Sequence, residues 1–200
     1  MTPPSVFTKE AIEQWAKVPG EVRGMGLKTN LDYVFEMKGP EALKRVEDAM
    51  ARMGYPITRS AIQAMAFYPF VHSPVVEIGI QDTLGFSEQD FYEMGRYSTK
   101  VSLFLKIMAK YFLSVQAAIT YATKMWNEYY TRGHIQAVEV NDREKRIILR
   151  ILDFETTDPG WNIIRGYFSQ TAQMIVGNKV RCLMHSCKDI QLCMEFVITW

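Results

Sequence analysis

The chain has 200 residues, enough for one well-buried domain and marginal for two. Apolar residues make up 48%, charged residues 22%, and the net charge is +1, so the sequence offers no electrostatic footprint for nucleic acid or an anionic membrane. Three cysteines, all late in the chain, do not make a secreted disulfide framework, and Met1–Ala16 lacks the apolar core of a signal peptide, so a reducing cytoplasm is the expected compartment.

In chain order, Met1–Gly20 reads as an N-terminal extension, peripheral to a domain over residues 21–200. Thr8 looks like the N-cap of a helix over Lys9–Lys17, which Pro19-Gly20 ends. In Val22–Lys38, Leu27, Leu31, Val34 and Phe35 form a helical face. The Gly24-x-Gly26 there has no preceding strand and no following Gly or Lys-Thr, so it does not read as a phosphate loop. Gly39-Pro40 starts a helix over Pro40–Met53 with a stripe of Leu43, Val46 and Met50, and Gly54 stops it. Tyr55–Pro74 has no clean period and is read as a loop, with His72 held by a backbone partner.

Pro74–Leu84 is predicted to be a short helix closed by Gly85. Ser87 with Asp90 starts another, which Gly95 follows. Val101–Phe112 and Val115–Tyr130 are apolar helical segments, and Lys106, Lys110, Gln116 and Lys124 interrupt them too often for a bilayer span. At Gly133 the period changes from helical to alternating. His134–Val140 and Lys145–Phe154 are strands of an antiparallel hairpin, with Ile147, Leu149 and Ile151 on one face and Arg146 and Arg150 on the other. Asp158-Pro159 opens a helix to Val176, with Asp158 as N-cap. Trp161, Ile164, Phe168, Ala172 and Ile175 are its stripe, and Gly177 closes it. Val180–Cys187 and Cys193–Trp200 are two further strands around Lys188-Asp189. The order predicts an α+β domain, with a helical layer packed on a C-terminal four-stranded antiparallel sheet made of two hairpins flanking one helix.

The chemistry is sparse. Cys182, His185, Cys187 and Cys193 are ligand types that suit zinc, but the spacing Cys-x2-His-x-Cys-x5-Cys is not a standard one. Strand alternation sets Cys182 on the face opposite His185 and Cys187, which leaves His185, Cys187 and Cys193 as the three candidate ligands near the hairpin end. A Cys187–Cys193 disulfide fits across the hairpin but not a reducing compartment. There is no Gly-x-Ser-x-Gly, and no histidine has a serine or cysteine partner in sequence, so no catalytic residue is named. Gly166, inside a helix where glycine costs about 1 kcal/mol against alanine, marks either close packing of that helix on the sheet or room for a ligand. Twelve methionines beside four tryptophans, ten tyrosines and eleven phenylalanines suit either a loosely packed core or the wall of an apolar cavity.

The stretch Asp158-Pro159-Gly-Trp161, Ile164-Arg-Gly166-Tyr-Phe, Gly177-Asn-Lys-Val180 and Cys187-x5-Cys193-x-Glu-Phe196-x-Ile-x-Trp200 resembles the end of the 4-vinyl reductase domain. That family belongs to the ligand-binding superfamily of nitric-oxide-sensing domains and Golgi-trafficking TRAPP subunits. Gly24, Gly39-Pro40-Glu-Ala-Leu43, Tyr68-Pro69 and Leu84-Gly85 resemble an uncharacterised bacterial branch, best known from myxobacteria. The resemblance implies helices packed on an antiparallel sheet with, in several members, an apolar pocket between them. Aromatic-hydrocarbon sensors of the family carry a zinc site near two late cysteines, which Cys187 and Cys193 match, although Met184 stands where an acidic ligand is expected. Tyr97-Ser98-Thr99-Lys100 departs from the Tyr-x-Ser-x-Arg signature of the haem relatives, so haem is not carried over.

The expected function is a non-enzymatic sensor or regulatory domain. It would hold a small apolar or aromatic molecule against Phe104, Met108, Tyr111, Trp126, Trp161 and Phe168, with no cofactor beyond zinc at Cys187, Cys193 and His185. A homodimer or a protein partner is expected, and no membrane span. The alternative is a TRAPP-like assembly module with a filled core; a tetrapyrrole-related accessory role is a distant third.

Overall fold

The alternating run Arg146–Leu152 buries one face, and the strands that follow and precede it extend that face into a sheet. The computed structural model of the chain describes residues 4–101, 123–141, 143–177 and 179–200. The described helices are α1 (Lys9–Trp15), α2 (Gly24–Lys38), α3 (Pro40–Arg52), α4 (His72–Leu84), α5 (Glu88–Val101), α6 (residues 123–129) and α7 (Asp158–Val176). A small ribbon pairs β1 (Glu21–Arg23) with β2 (Phe67–Pro69). The main sheet contains β3 (His134–Asn141), β4 (Arg146–Leu152), β5 (Arg181–Ser186) and β6 (Cys193–Thr199) in the order β3-β4-β6-β5, antiparallel throughout. This is the α+β architecture expected from the order of elements. Among the described residues no helix is long and apolar enough to cross a membrane.

Register explains the inner face. Ala137, Leu149, Phe196 and Met184 form one row across the four strands, and Val140, Ile147, Ile198 and Cys182 form another. Directly paired residues share a face, so both rows point toward α7, whose Trp161, Ile164, Phe168 and Ala172 are buried. Phe168 meets Phe196 edge-on at 5.0 Å between ring centres. Burying each such side chain stabilises the fold by about 1.5–3 kcal/mol. Val138 is the extra residue of a bulge between Ala137 and Glu139 and points to solvent.

The opposite side of α7 packs on α5 at backbone distance. A Cβ placed on Gly95 would lie 2.8 Å from the Ile163 carbonyl carbon and 2.9 Å from the Tyr167 nitrogen, and would overlap the Ile163 oxygen. One on Gly166 would lie 2.9 Å from the Tyr92 carbonyl carbon and overlap its oxygen. Gly166 thus packs close as expected, but against a helix and not the sheet. Gly95 does not end the helix begun at Ser87; α5 runs through it to Val101. The Ser87 start is as read: Asp90 Oδ2 accepts from the Ser87 N–H at 2.8 Å, and Ser87 Oγ accepts from the Asp90 N–H at 3.3 Å.

Other expectations shift. Helix α7 is capped by Thr157, whose Oγ1 accepts from the Gly160 N–H at 2.9 Å, so Asp158 is the first helical residue instead of the cap. Helix α4 begins at His72, two residues before Pro74. The supposedly peripheral first helix buries Trp15 completely in the same cluster as Val75 and Phe154, and its indole N–H donates to the Pro4 carbonyl at 3.1 Å. At the Gly24-x-Gly26 start of α2, the N–H groups of Gly24 and Met25 donate to the Ala66 and Ala64 carbonyls, both at 2.8 Å, so they are not free for a phosphate.

Candidate functional site

The site expected between the helices and the sheet is, in its described part, a continuous aromatic wall. Trp126, Trp161 and Phe168 are all buried and belong to one core cluster; Phe104, Met108 and Tyr111 lie outside the described residues. The centre of the wall is Phe154, 1% exposed. Its ring centre lies 4.8 Å from Trp126, 5.0 Å from Tyr130, 5.5 Å from Phe70 and 5.7 Å from Trp161. These are edge-to-face arrangements, in which ring edges meet the electron-rich faces. Trp161 and Phe168 continue the row to Phe196 on the sheet, at 6.2 and 5.0 Å.

Phe154, Tyr130 and Phe196 were not named from the sequence. Strand parity places Phe154 opposite Ile151, on the outer face. Asp153 adopts φ 56°, which ends the strand and turns Phe154 inward. Phe196 was part of a quoted motif and needed only the β4–β6 register to face Trp161.

A second buried feature was also missed. Glu77 on α4 is 3% exposed, where a carboxylate on a helix is ordinarily solvated. Its carboxylate accepts from the hydroxyls of Ser73 (2.7 Å), Thr156 (3.3 Å) and Thr157. Thr157 therefore caps α7 with its oxygen and gives its own proton to Glu77. Burial pushes the Glu77 carboxyl above its ordinary value, and the three hydroxyl donors pull it partly back. The same carboxylate helps, after burial, to hold the Tyr130 phenol in its neutral form.

The candidate metal ligands do not converge. Cys187 and Cys193 are joined as a disulfide, with Cα atoms 5.4 Å apart. In this pairing neither sulfur is a free thiol. His185 is on the exposed outer face of β5, with Nε2 2.9 Å from Glu195 Oε1. Arg150 shares that carboxylate at 2.7 Å. Cys182 points inward, as alternation requires, and burial pushes its thiol up to about 12. Among the described residues no group of three His, Cys, Asp or Glu side chains is placed to hold a metal ion.

All three histidines of the chain are described. His72 is half-buried on α4, its Nδ1 3.0 Å from the Pro69 carbonyl oxygen and its ring against Tyr55 and Tyr68; burial lowers its pKa. The backbone partner is as expected. His134 is exposed, 3.7 Å from Asp153. With His185 outside the sheet, none of the three faces the aromatic wall, so a haem held there through histidine does not fit these residues.

On another side of α7 a groove of about 560 Å³ opens toward β5. None of the expected wall residues lines it; Tyr92, Arg165, Lys179, Arg181 and Trp200 are among those that do.

No family model and no curated protein matches the sequence. The fold does match solved structures. An unliganded Fe(II) H-NOX protein from K. algicida superposes with a TM-score of 0.66 at 11% identity, over 88% of this chain and 95% of that one. An H-NOX protein from S. oneidensis in its Fe(II)NO ligation state gives 0.63 at 12%, over 88% and 97%. A third structure, from work on heme distortion in the H-NOX family, gives 0.61 at 12%, over 89% and 94%. All three are H-NOX proteins, whose fold is related to the nitric-oxide-signalling superfamily that the C-terminal residues resemble. At such identity the likeness establishes architecture alone, and the architecture of this chain is the H-NOX fold.

Proposed function

We propose that the chain is a non-enzymatic, small-molecule-binding sensor or regulatory domain. It holds an apolar or aromatic ligand against Trp161 and Phe168 of α7, Phe196 of the sheet and Trp126 beside Phe154. The observation that carries this reading is the aromatic wall, in a fold whose solved examples are described as ligated and unliganded Fe(II) proteins. None of the three histidines of the chain stands at the wall, so a ligand recognised by ring packing suits it better than a histidine-held haem. Signalling follows if the ligand prefers one arrangement of the helices over another.

The test is native mass spectrometry of the purified chain together with its visible absorption spectrum and melting curves in the presence of naphthalene, indole and toluene. A bound mass lost on denaturation, or a melting temperature raised by one of these and not in Trp161→Ala, supports the reading. No bound mass and no shift with any probe sinks it, and a haem absorption band overturns the choice of ligand.

A further inference from the structure

The groove between α5, α7 and the edge strand β5 differs in charge from the rest of the molecule. Its lining contains three cations, Arg165, Lys179 and Arg181, and no acidic side chain. Several arginines elsewhere are paired, Arg59 with Asp32, Arg132 with Glu155, Arg146 with Glu139 and Arg150 with Glu195, whereas Arg45 on α3 donates to the Thr83 carbonyl. Among the described residues none of the three groove cations makes an ion pair. Residues 102–122 contain no Asp or Glu and bring no carboxylate, so Asp142 is the one acidic residue outside the described set. Cys182 in the lining keeps its proton, its thiol being pushed up to about 12, and does not neutralise them.

The groove is also prepared for an anion in its geometry. The Arg165 guanidinium carbon lies 5.0 Å from the centre of the Tyr92 ring, and the Tyr92 hydroxyl donates to Ser169 Oγ at 2.7 Å, which fixes that ring as a shelf. Arg165 Nε is buried and has no acceptor. A buried N–H without an acceptor is costly, and a turn of the guanidinium toward an oxyanion in the groove would relieve that cost. Trp200 offers an apolar surface beside the cations, and the volume is in the range of small-molecule sites.

We propose that this groove binds a small organic phosphate. The dianionic head is held by the Arg165 fork with Lys179, Arg181 stands at the open rim on β5, and an apolar or planar tail rests against Trp200. A phosphate monoester carries up to two charges near neutral pH, which suits three uncompensated cations better than a monocarboxylate does. The site is separate from the aromatic wall, since no wall residue lines it.

Phenyl phosphate titrated into the full chain by calorimetry tests this. Lys179 and Arg181 are exposed, so K179Q and R181Q should melt with the parent, and each is expected to weaken binding at least tenfold. R165K keeps the charge but loses the fork, and should also weaken it. Raising the salt from 50 to 300 mM should weaken it in the parent. Absence of saturable binding, or an affinity unchanged in both R181Q and K179Q, overturns the site. Benzoate binding more tightly than phenyl phosphate overturns the phosphate assignment.

Discussion

Helix α7 meets charge in two places and the molecule treats them in opposite ways. At its N-terminus the carboxylate of Glu77 is fully buried and answered by three neutral hydroxyls, one of them the N-cap Thr157. A negative group there is also favoured by the helix dipole. Midway along, Arg165 and its neighbours Lys179 and Arg181 are answered by no carboxylate among the described residues. The first arrangement is closed: every oxygen of Glu77 has a donor, and burial leaves no room for another molecule. The second is open, with cations left for a partner that is not part of the chain. A buried charge that is satisfied serves the fold, whereas accessible charges left unsatisfied are available for binding.

The groove rests on the backbone-distance contact of α5 with α7, and breaking that contact is expected to have the largest effect. Gly166→Ala or Gly95→Ala places a methyl group on a backbone carbonyl of the facing helix, and each should cost about 3 kcal/mol in urea unfolding. The double variant should cost less than the sum, because one separation of the helices relieves both clashes.

Next is the closed end. Glu77→Ala should cost about 2 kcal/mol by leaving buried hydroxyls without their acceptor. Glu77→Gln separates charge from shape. Because the folded-state pKa of Glu77 is raised, the native state binds its proton more tightly than the unfolded chain does. The parent should therefore lose stability relative to Glu77→Gln as pH rises from about 4.5, the ordinary glutamate value, through the folded pKa. His72, whose pKa is lowered, contributes the opposite slope to both proteins and cancels in the difference. A stability difference that stays flat from pH 4 to pH 8 would rule out this role for burial.

Thr157→Ala removes the cap and one donor to Glu77 together, and should cost about 1–2 kcal/mol by the same measurement, more than capping alone would if the relay is real. Smallest is the open end: Arg181→Gln without ligand should change stability by less than about 0.5 kcal/mol. A larger loss would mean that the groove cations hold the fold together and are not free for a ligand.

Much of the C-terminal half could be read in advance. Trp161, Ile164, Phe168 and Ala172 recur at helical spacing and are all buried on one side of α7, and Ile147, Leu149 and Ile151 alternate onto the inner face of β4. The Ser87–Asp90 start needed only three residues of context. Other features depended on what lies across from them. Gly95 looks like a helix end until the facing helix shows why no side chain fits, and Glu77 looks like a solvated carboxylate until Ser73, Thr156 and Thr157 converge on it. Residues Phe104, Met108 and Tyr111 lie outside the described part, so only half of the expected wall is placed.

The sequence by itself determined the α+β order, the buried faces of α7 and β4 and the placement of Cys182 on the strand face opposite His185, because periods of 3.6 and 2 are local properties of the backbone. Only the tertiary structure decided which surface each buried face meets. It also decided that Phe154 lies at the centre of the aromatic wall, that Cys187 and Cys193 pair instead of joining His185, and that three cations separated in sequence or by elements share one groove. Each of these depends on residues brought together by strand register or helix packing over long stretches of chain, and local spacing carries no record of such distances.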